Sequence, residues 1–318
     1  MATRSTYTRG LHDVGDGLYA YLQPDGSWGW SNAGLIVDGE ASLLVDTLFD
    51  LALTGDMLAE MKRRVPAAEQ IDTLVNTHAN GDHTYGNQLA AGARILASRE
   101  TAEEMLELPP AAMAALAEAA PQMGRLGEFM LECFGSFDFA GIELTPPDET
   151  FEGELSLRVG DKDVQLIEVG PAHTRGDTLV LVPGERVLFS GDILFHGGHP
   201  IVWAGPLSNW VGACDRILDM EVEVIVPGHG PLADKDAVRE LRSYFEYVEA
   251  EAHKRFEAGM TRLEAARDIS MDRYAAWGEP ERLVVNVDAV YRELSTSGEA
   301  ANPVELFGQM AEFAGGSS

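Results

Sequence analysis

The chain has 318 residues, 45% of them hydrophobic and 24% charged, with 52 acids against 23 bases for a formal net charge of -29. This is the balance of a globular chain, and its field repels phosphate backbones and anionic headgroups, so a nucleic-acid partner is not expected. Cys133 and Cys214 lie too far apart for a metal-binding pair and read as buried apolar side chains. The N-terminus carries no apolar leader and no stretch reaches the roughly 20 apolar residues of a membrane span, so a cytoplasmic protein with no membrane partner is expected.

In chain order, the first 75 residues alternate like a sheet, with Asp38-Gly39 as a hairpin signal between two apolar runs. Residues 50–64 carry apolar positions at helical spacing and end in bases, and 71–77 (IDTLVNT) read as a short buried strand. From 99 to 130 the pattern is helical and broken by prolines, which predicts a helical insert over about 99–150. Strands return in FEGELSLRV, DVQLIEVG, DTLVLVP and ERVLFSG, with Pro183-Gly184 as a turn. Residues 206–220 form an amphipathic helix, VEVIVP a last strand, and 234–318 a mostly helical tail. The expected organisation is a catalytic domain over 1–235, with a helical extension over 236–318 packed on it and offering a surface for a homodimer.

Four apolar strands run directly into short polar loops that carry metal-ligand side chains. LVNT leads to His78, Asn80, Asp82 and His83; LIEVG to His173; VLFSG to Asp192; and VEVIVP to His229. Strand ends are rigid anchors, and loops just beyond them can converge on one edge of a sheet. Imidazole and carboxylate suit zinc and other N/O-ligated metals, and the absence of a nearby thiolate disfavours a sulfur-bound one.

On these residues the chain resembles the metallo-β-lactamase fold superfamily, nearest to its glyoxalase-II-like hydrolases. The family's H-x-H-x-D-H motif stands as His78-Ala-Asn80-Gly-Asp82-His83, followed by His173 in GPAHTRGD, Asp192 in FSGDILF and His229 in VPGHG. The resemblance covers roughly residues 15–235 and implies an α/β fold, a four-layer αβ/βα sandwich with the metal cluster at one edge. It further implies His78, Asn80 and His173 on a first metal, Asp82, His83 and His229 on a second, and Asp192 bridging them, with Asp46 of LLVDT supporting the site. An acid at 192 points away from the true β-lactamases, which carry a cysteine there.

Asn80 stands where the motif has histidine, and a neutral amide oxygen is a weaker ligand than imidazole. Three arrangements stay open: Asn80 ligates in a binuclear site, Asn80 stands behind a metal held by His78, His173 and Asp192, or the site is mononuclear. Retention of His78, His173 and Asp192 favours two ions.

His196 and His199 follow Asp192 closely enough in sequence to be candidate proton donors. Trp203, Trp210, Phe134, Phe137 and Phe139 offer an apolar substrate wall, and Trp28, Trp30 and Asn32 follow a strand that borders the site in resembling folds. Arg175 and Asp177 read as a loop ion pair.

The expected function is that of a metal-dependent hydrolase using a metal-bound hydroxide on a small-molecule ester, thioester or lactone. Zn2+, as one or two ions, is the expected cofactor, with Fe or Mn as alternatives, and Asp82 and Asp192 would orient the nucleophile. Two other readings use the same cluster, a non-haem iron oxidoreductase or dioxygenase and a biosynthetic cyclase or decarboxylase.

Overall fold

The computed structural model describes residues 7–295 and 302–316. They form two sheets. The first holds β1 (Gly10–Gly15), β2 (Leu18–Leu22), β3 (Ala33–Asp38), β4 (Ala41–Val45), β5 (Thr73–Val75), β6 (Arg94–Ser98) and β7 (Glu149–Phe151) in that order. The second holds β8 (Glu154–Val159), β9 (Lys162–Glu168), β10 (Thr178–Val182), β11 (Val187–Phe195) and β12 (Val224–His229). The helices are α1 (Leu51–Arg64), α2 (Gly81–Thr84), α3 (Arg99–Glu104), α4 (Pro110–Ala119), α5 (Gly124–Phe134), α6 (Leu207–Asp219), α7 (Lys235–Glu257), α8 (Arg262–Asp268), α9 (Leu283–Leu294) and α10 (Pro303–Gly315).

Side-chain alternation along the strands sorts these elements into four layers. Ile36, Leu43 and Val75 point between the sheets and meet Val164, Leu166, Val180 and Phe189 of the other sheet. Their neighbours Leu35, Leu44 and Leu74 point outward onto Met57 and Met61 of α1. On the far side, Leu179, Leu188 and Ile225 face Trp210 of α6 and Phe245 and Val248 of α7. Each such aliphatic side chain, once buried, contributes roughly 1.5–3 kcal/mol against exposure. The result is the αβ/βα sandwich.

The local chemistry explains most boundaries. Asp38 and Ala41 pair across a tight turn in which Gly39 takes φ +61°. The Asp50 carboxylate accepts from Leu53 N at 2.7 Å to cap α1, whose last turn carries Lys62, Arg63 and Arg64. Two elements differ from the sequence pattern. FEGELSLRV is not one strand: Gly153 turns at φ +69°, leaving β7 parallel to β6 in the first sheet while β8 opens the second. The helical insert ends at Phe134, and residues 135–148 are irregular before β7. Here Phe137 and Phe139 dive into the core around Phe49, and that side-chain packing supplies what periodicity does not.

The ends of β4, β5, β11 and β12 lie at one edge. Two backbone hydrogen bonds link the sheets there, Thr178 N to Thr77 O at 2.8 Å and Asn32 N to Gly228 O at 2.7 Å. No described helix is long and apolar enough to cross a membrane.

Candidate metal centre

The ladder stops at Val75, and residues 76–80 leave the sheet to carry the first ligand group into α2. The turn is held by its carbonyls. His83 O accepts from Thr47 N (2.9 Å), Thr47 Oγ1 (3.2 Å) and Asn76 Nδ2 (3.0 Å). Asp46, at φ +62° just past β4, accepts from Thr77 N and Thr77 Oγ1, both at 2.7 Å, and stands 2.9 Å from His83 Nδ1. On the other sheet, the β11–β12 register slips at Gly191, which takes φ +50°, and this bulge turns Asp192 into the site. A Cβ on Gly228 would collide with the Asp192 carboxylate, so only glycine lets β12 approach so closely.

All four imidazoles are oriented the same way. Nδ1 meets Thr77 Oγ1 in His78 (3.0 Å), Asp46 in His83, Ile201 O in His173 (2.7 Å) and Gly26 O in His229 (3.1 Å). The carbonyl and carboxylate partners place the proton on Nδ1, leaving Nε2 to face the cluster. The Nε2 atoms surround Asp192: Oδ1 lies 3.1 Å from His83, and Oδ2 lies 3.3 Å from His173, 3.4 Å from His229 and 3.7 Å from His78. Asp82 Oδ2 is 3.2 Å from His229 Nε2 and 3.9 Å from His83 Nε2. Asn80 joins from the cavity side, its Nδ2 2.9 Å from His173 Nε2. The structure thus brings His78, Asn80, Asp82, His83, His173, Asp192 and His229 to one place.

The donor set fits a divalent cation. His78 Nε2, His83 Nε2 and Asp192 Oδ1 are buried without a hydrogen-bond partner, an arrangement that costs free energy unless something positive sits among them. Two triads, His78/His83/Asp192 and Asp82/His83/His229, have ligand atoms within 4.8 Å of one another. Burial lowers His78 and His173, aided in His78 by the His83 charge, so both are neutral and able to serve as ligands. Burial would raise Asp82, yet His83 and His229 outweigh it and bring the carboxyl down to about 2; Asp192 is likewise held well below its usual range. Burial opposes protonation of His83 and His229, but the surrounding carboxylates push His83 well up and His229 up to about 9. Two carboxylates here demand positive charge, and a divalent ion meets that demand while leaving the imidazoles neutral.

Above the cluster opens a cavity of about 540 Å³ with Asn80, Asp82, His173, Asp192 and His229 at its base. Trp28, Phe134, Trp203 and Phe307 line it as a connected set of rings, with Trp28 5.7 Å from Phe134 and 5.9 Å from Phe307, and Trp203 stacked 5.9 Å from Phe307. The remaining aromatics serve elsewhere. Trp210 is fully buried and donates to Ile193 O at 3.0 Å, Phe137 and Phe139 are core, and Trp30 packs on Phe137. Asn32 spans the sheets, donating to Pro227 O (3.0 Å) and Gly230 O (2.8 Å), and so supports the His229 loop.

Three further sequence expectations change. His199 lines neither this cavity nor its smaller neighbour. It is buried, with Nδ1 3.1 Å from the Tyr244 hydroxyl and its ring edge-on to Trp277, and burial plus the Arg282 charge lower it to about 4. His196 lines only the smaller cavity of about 290 Å³, alongside Glu279 and the other side of His229, with Nδ1 3.0 Å from Pro231 O. The chain turns away after Phe195, so closeness in sequence to Asp192 does not place either ring over the cluster. Arg175 and Asp177 do not pair: Arg175 reaches Glu107 at 2.8 Å, and Asp177 accepts from Thr174 N and Oγ1. The resemblance also implies that the C-terminal tail helps shape the pocket, and α9 and α10 do line the cavity, but Arg282 was missed. The one available signal was an arginine directly before the apolar run LVV.

A fold of this kind with such a cluster defines a class of αβ/βα proteins built to hold divalent metal. The model of the metallo-beta-lactamase superfamily matches residues 26–229, and the chain belongs to that superfamily. It is 26% identical over 200 residues to the 2,4-dinitroanisole O-demethylase subunit alpha of Nocardioides sp. (strain JS1661), over 61% of this chain and 51% of that one. It is 25% identical over 238 residues to the acyl-coenzyme A thioesterase MBLAC2 of Bos taurus, over 68% of this chain and 79% of that one. The stereoselective inverting sec-alkylsulfatase Pisa1 from Pseudomonas sp. shares the fold, with a TM-score of 0.65 at 18% identity, over 94% of this chain and 52% of that one. The chain therefore spans about half the length of the demethylase subunit and of the alkylsulfatase.

Proposed function

We propose that this chain is a zinc-dependent, glyoxalase-II-like hydrolase of small-molecule acyl compounds with an apolar body, thioesters first among them. The observation that carries this reading is the aromatic-walled cavity of about 540 Å³ resting on the His/Asp cluster. His78, Asn80 and His173 would hold one ion, Asp82, His83 and His229 a second, with Asp192 between them. Bound there, the metal supplies Lewis acidity and a water activated near neutral pH.

The chain's own groups do the rest. Trp28, Phe134, Trp203 and Phe307 grip the apolar part of the substrate and exclude bulk water. The Asp82 carboxylate, at the cavity base and ionised, accepts a hydrogen bond from the attacking water and orients it. With His196 and His199 turned away, no histidine outside the ligand set lines this cavity among the described residues. A leaving group that departs without a proton suits such a site, and a thiolate, with a parent pKa of about 8.5, does so far more readily than an alkoxide. The thioesterase among the relatives agrees with this preference. The acidic surface supports a small-molecule substrate over nucleic acid.

The test is metal analysis of protein purified without added metal, followed by a panel of acyl thioesters, aryl esters and lactones. Metal above trace with thioester turnover is expected. Metal at trace level, or a loaded protein inert to every activated acyl compound, overturns the reading.

A further inference from the structure

Two arginines line the cavity, and their charges are treated differently. Arg292 is met by a carboxylate, with Nε 3.2 Å from Asp288 Oδ2. Arg282 is only 2% exposed, yet its nearest carboxylate oxygen, Oε2 of Glu279, is 4.0 Å from Nη1. The adjacent Glu281 is already engaged, accepting from Trp28 Nε1 at 2.8 Å. Among the described residues the one hydrogen bond of the Arg282 guanidinium runs from Nη1 to the His199 carbonyl at 2.9 Å, and its Nε is buried without a partner.

The guanidinium is also held in place. Its central carbon lies 4.2 Å from the centre of the Trp28 ring and 5.3 Å from that of Phe195. Phe195 in turn stacks on His229, with centroids 5.1 Å apart and planes within 3°. An aromatic slot thus fixes a planar, permanently charged fork beside the metal cluster, with hydrogen-bonding capacity unused. A buried charge left this far from a carboxylate is costly, and a bound anion relieves that cost.

We propose that Arg282 is a specificity-determining residue that anchors an anionic group of the substrate, and that the natural substrate class is an amphiphilic anion. Its apolar body occupies the aromatic chamber, and a carboxylate- or sulfonate-type group meets the Arg282 fork close to the scissile bond. This rests on the reading of the cavity as the substrate chamber.

The test measures binding and needs no turnover. Decane-1-sulfonate, a weak metal ligand that cannot be hydrolysed as an ester, is compared with decan-1-ol by titration calorimetry. Wild type should bind the sulfonate at least about tenfold more tightly than the alcohol. Arg282→Met should bring the two affinities together, Arg282→Lys should keep part of the preference, and Glu279→Gln, which removes the nearest carboxylate, should widen it.

Equal affinities in wild type, failure to bind either ligand, or a preference that survives Arg282→Met overturns the proposal. Should Arg282→Met fail to fold, the Glu279→Gln protein decides, and an unchanged ratio there overturns it. A protein that prefers the sulfonate but hydrolyses no acyl compound keeps Arg282 as the anchor and overturns the hydrolase reading. Turnover of neutral thioesters with no sulfonate preference does the reverse.

Discussion

The side-chain nitrogen of Asn80 stands 2.9 Å from Nε2 of His173. Because His173 gives its Nδ1 proton to Ile201 O, Nε2 is a bare lone pair and the amide donates to it. To serve a metal, the amide turns over and presents Oδ1. An imidazole at this position would ligate without that compromise, so Asn80→His should tighten one ion by about tenfold or more and Asn80→Ala should loosen it. Titration of metal into the three proteins, with stoichiometry checked by elemental analysis, reads this directly. Equal affinity and stoichiometry in all three would show that Asn80 holds no metal.

Asp46 touches no substrate in the proposed mechanism, yet it fixes His83 and, through the Thr77 hydroxyl, His78. Asp46→Asn removes the charge while keeping the shape. It should weaken metal binding by roughly 10–100-fold with the far-ultraviolet spectrum unchanged. A variant that retained wild-type affinity would mean that packing alone orients the two rings.

Chelation should destabilise the protein. A ligand present at 100 times its dissociation constant stabilises by about 2.7 kcal/mol, so removing the metal should lower Tm by a few degrees, and re-addition should restore it. His83→Ala and His229→Ala should abolish turnover and respond less to chelator than wild type. A melting curve indifferent to chelator in wild type would argue against a resident ion.

His199 supplies a pH signature separate from the cluster. Burial and the Arg282 charge lower it from its ordinary 6.5 to about 4. Between those values the unfolded chain binds the proton and the folded one does not. Stability therefore rises with pH across about 4 to 6.5 and is lost as pH falls through that window, by up to about 3 kcal/mol. His199→Gln, which can still reach the Tyr244 hydroxyl, should show a flatter slope than wild type in urea titrations of chelator-treated protein at pH 4.5 and 7. Identical slopes would place the acid sensitivity elsewhere.

The site was legible where chemistry coincides with strand ends. His78, Asp82, His83 and His173 follow a strand, and Asp192 and His229 lie within β11 and β12, so the apolar run beside each ligand is also the strand that positions it. His196 and His199 were misleading because a loop's path after a bulged strand depends on its partners, here Pro231, Tyr244 and Trp277, which lie 35 to 78 positions later in the chain. Arg282 showed only as an arginine ahead of an apolar run. Its meaning depends on Trp28, and the contact beside it joins residues 253 positions apart. Periodicity and spacing carry no information over such separations.

The candidate ligand shell is drawn entirely from residues 78–229, whereas one wall of the chamber comes from Arg282, Val285 and Phe307. In the proposed reading, part of the selectivity thus resides outside the stretch that supplies the reactivity. Substitutions along α9 and α10 can reshape what is admitted while leaving the inorganic core untouched. A library confined to those two helices is therefore the economical place to redirect the protein toward new compounds.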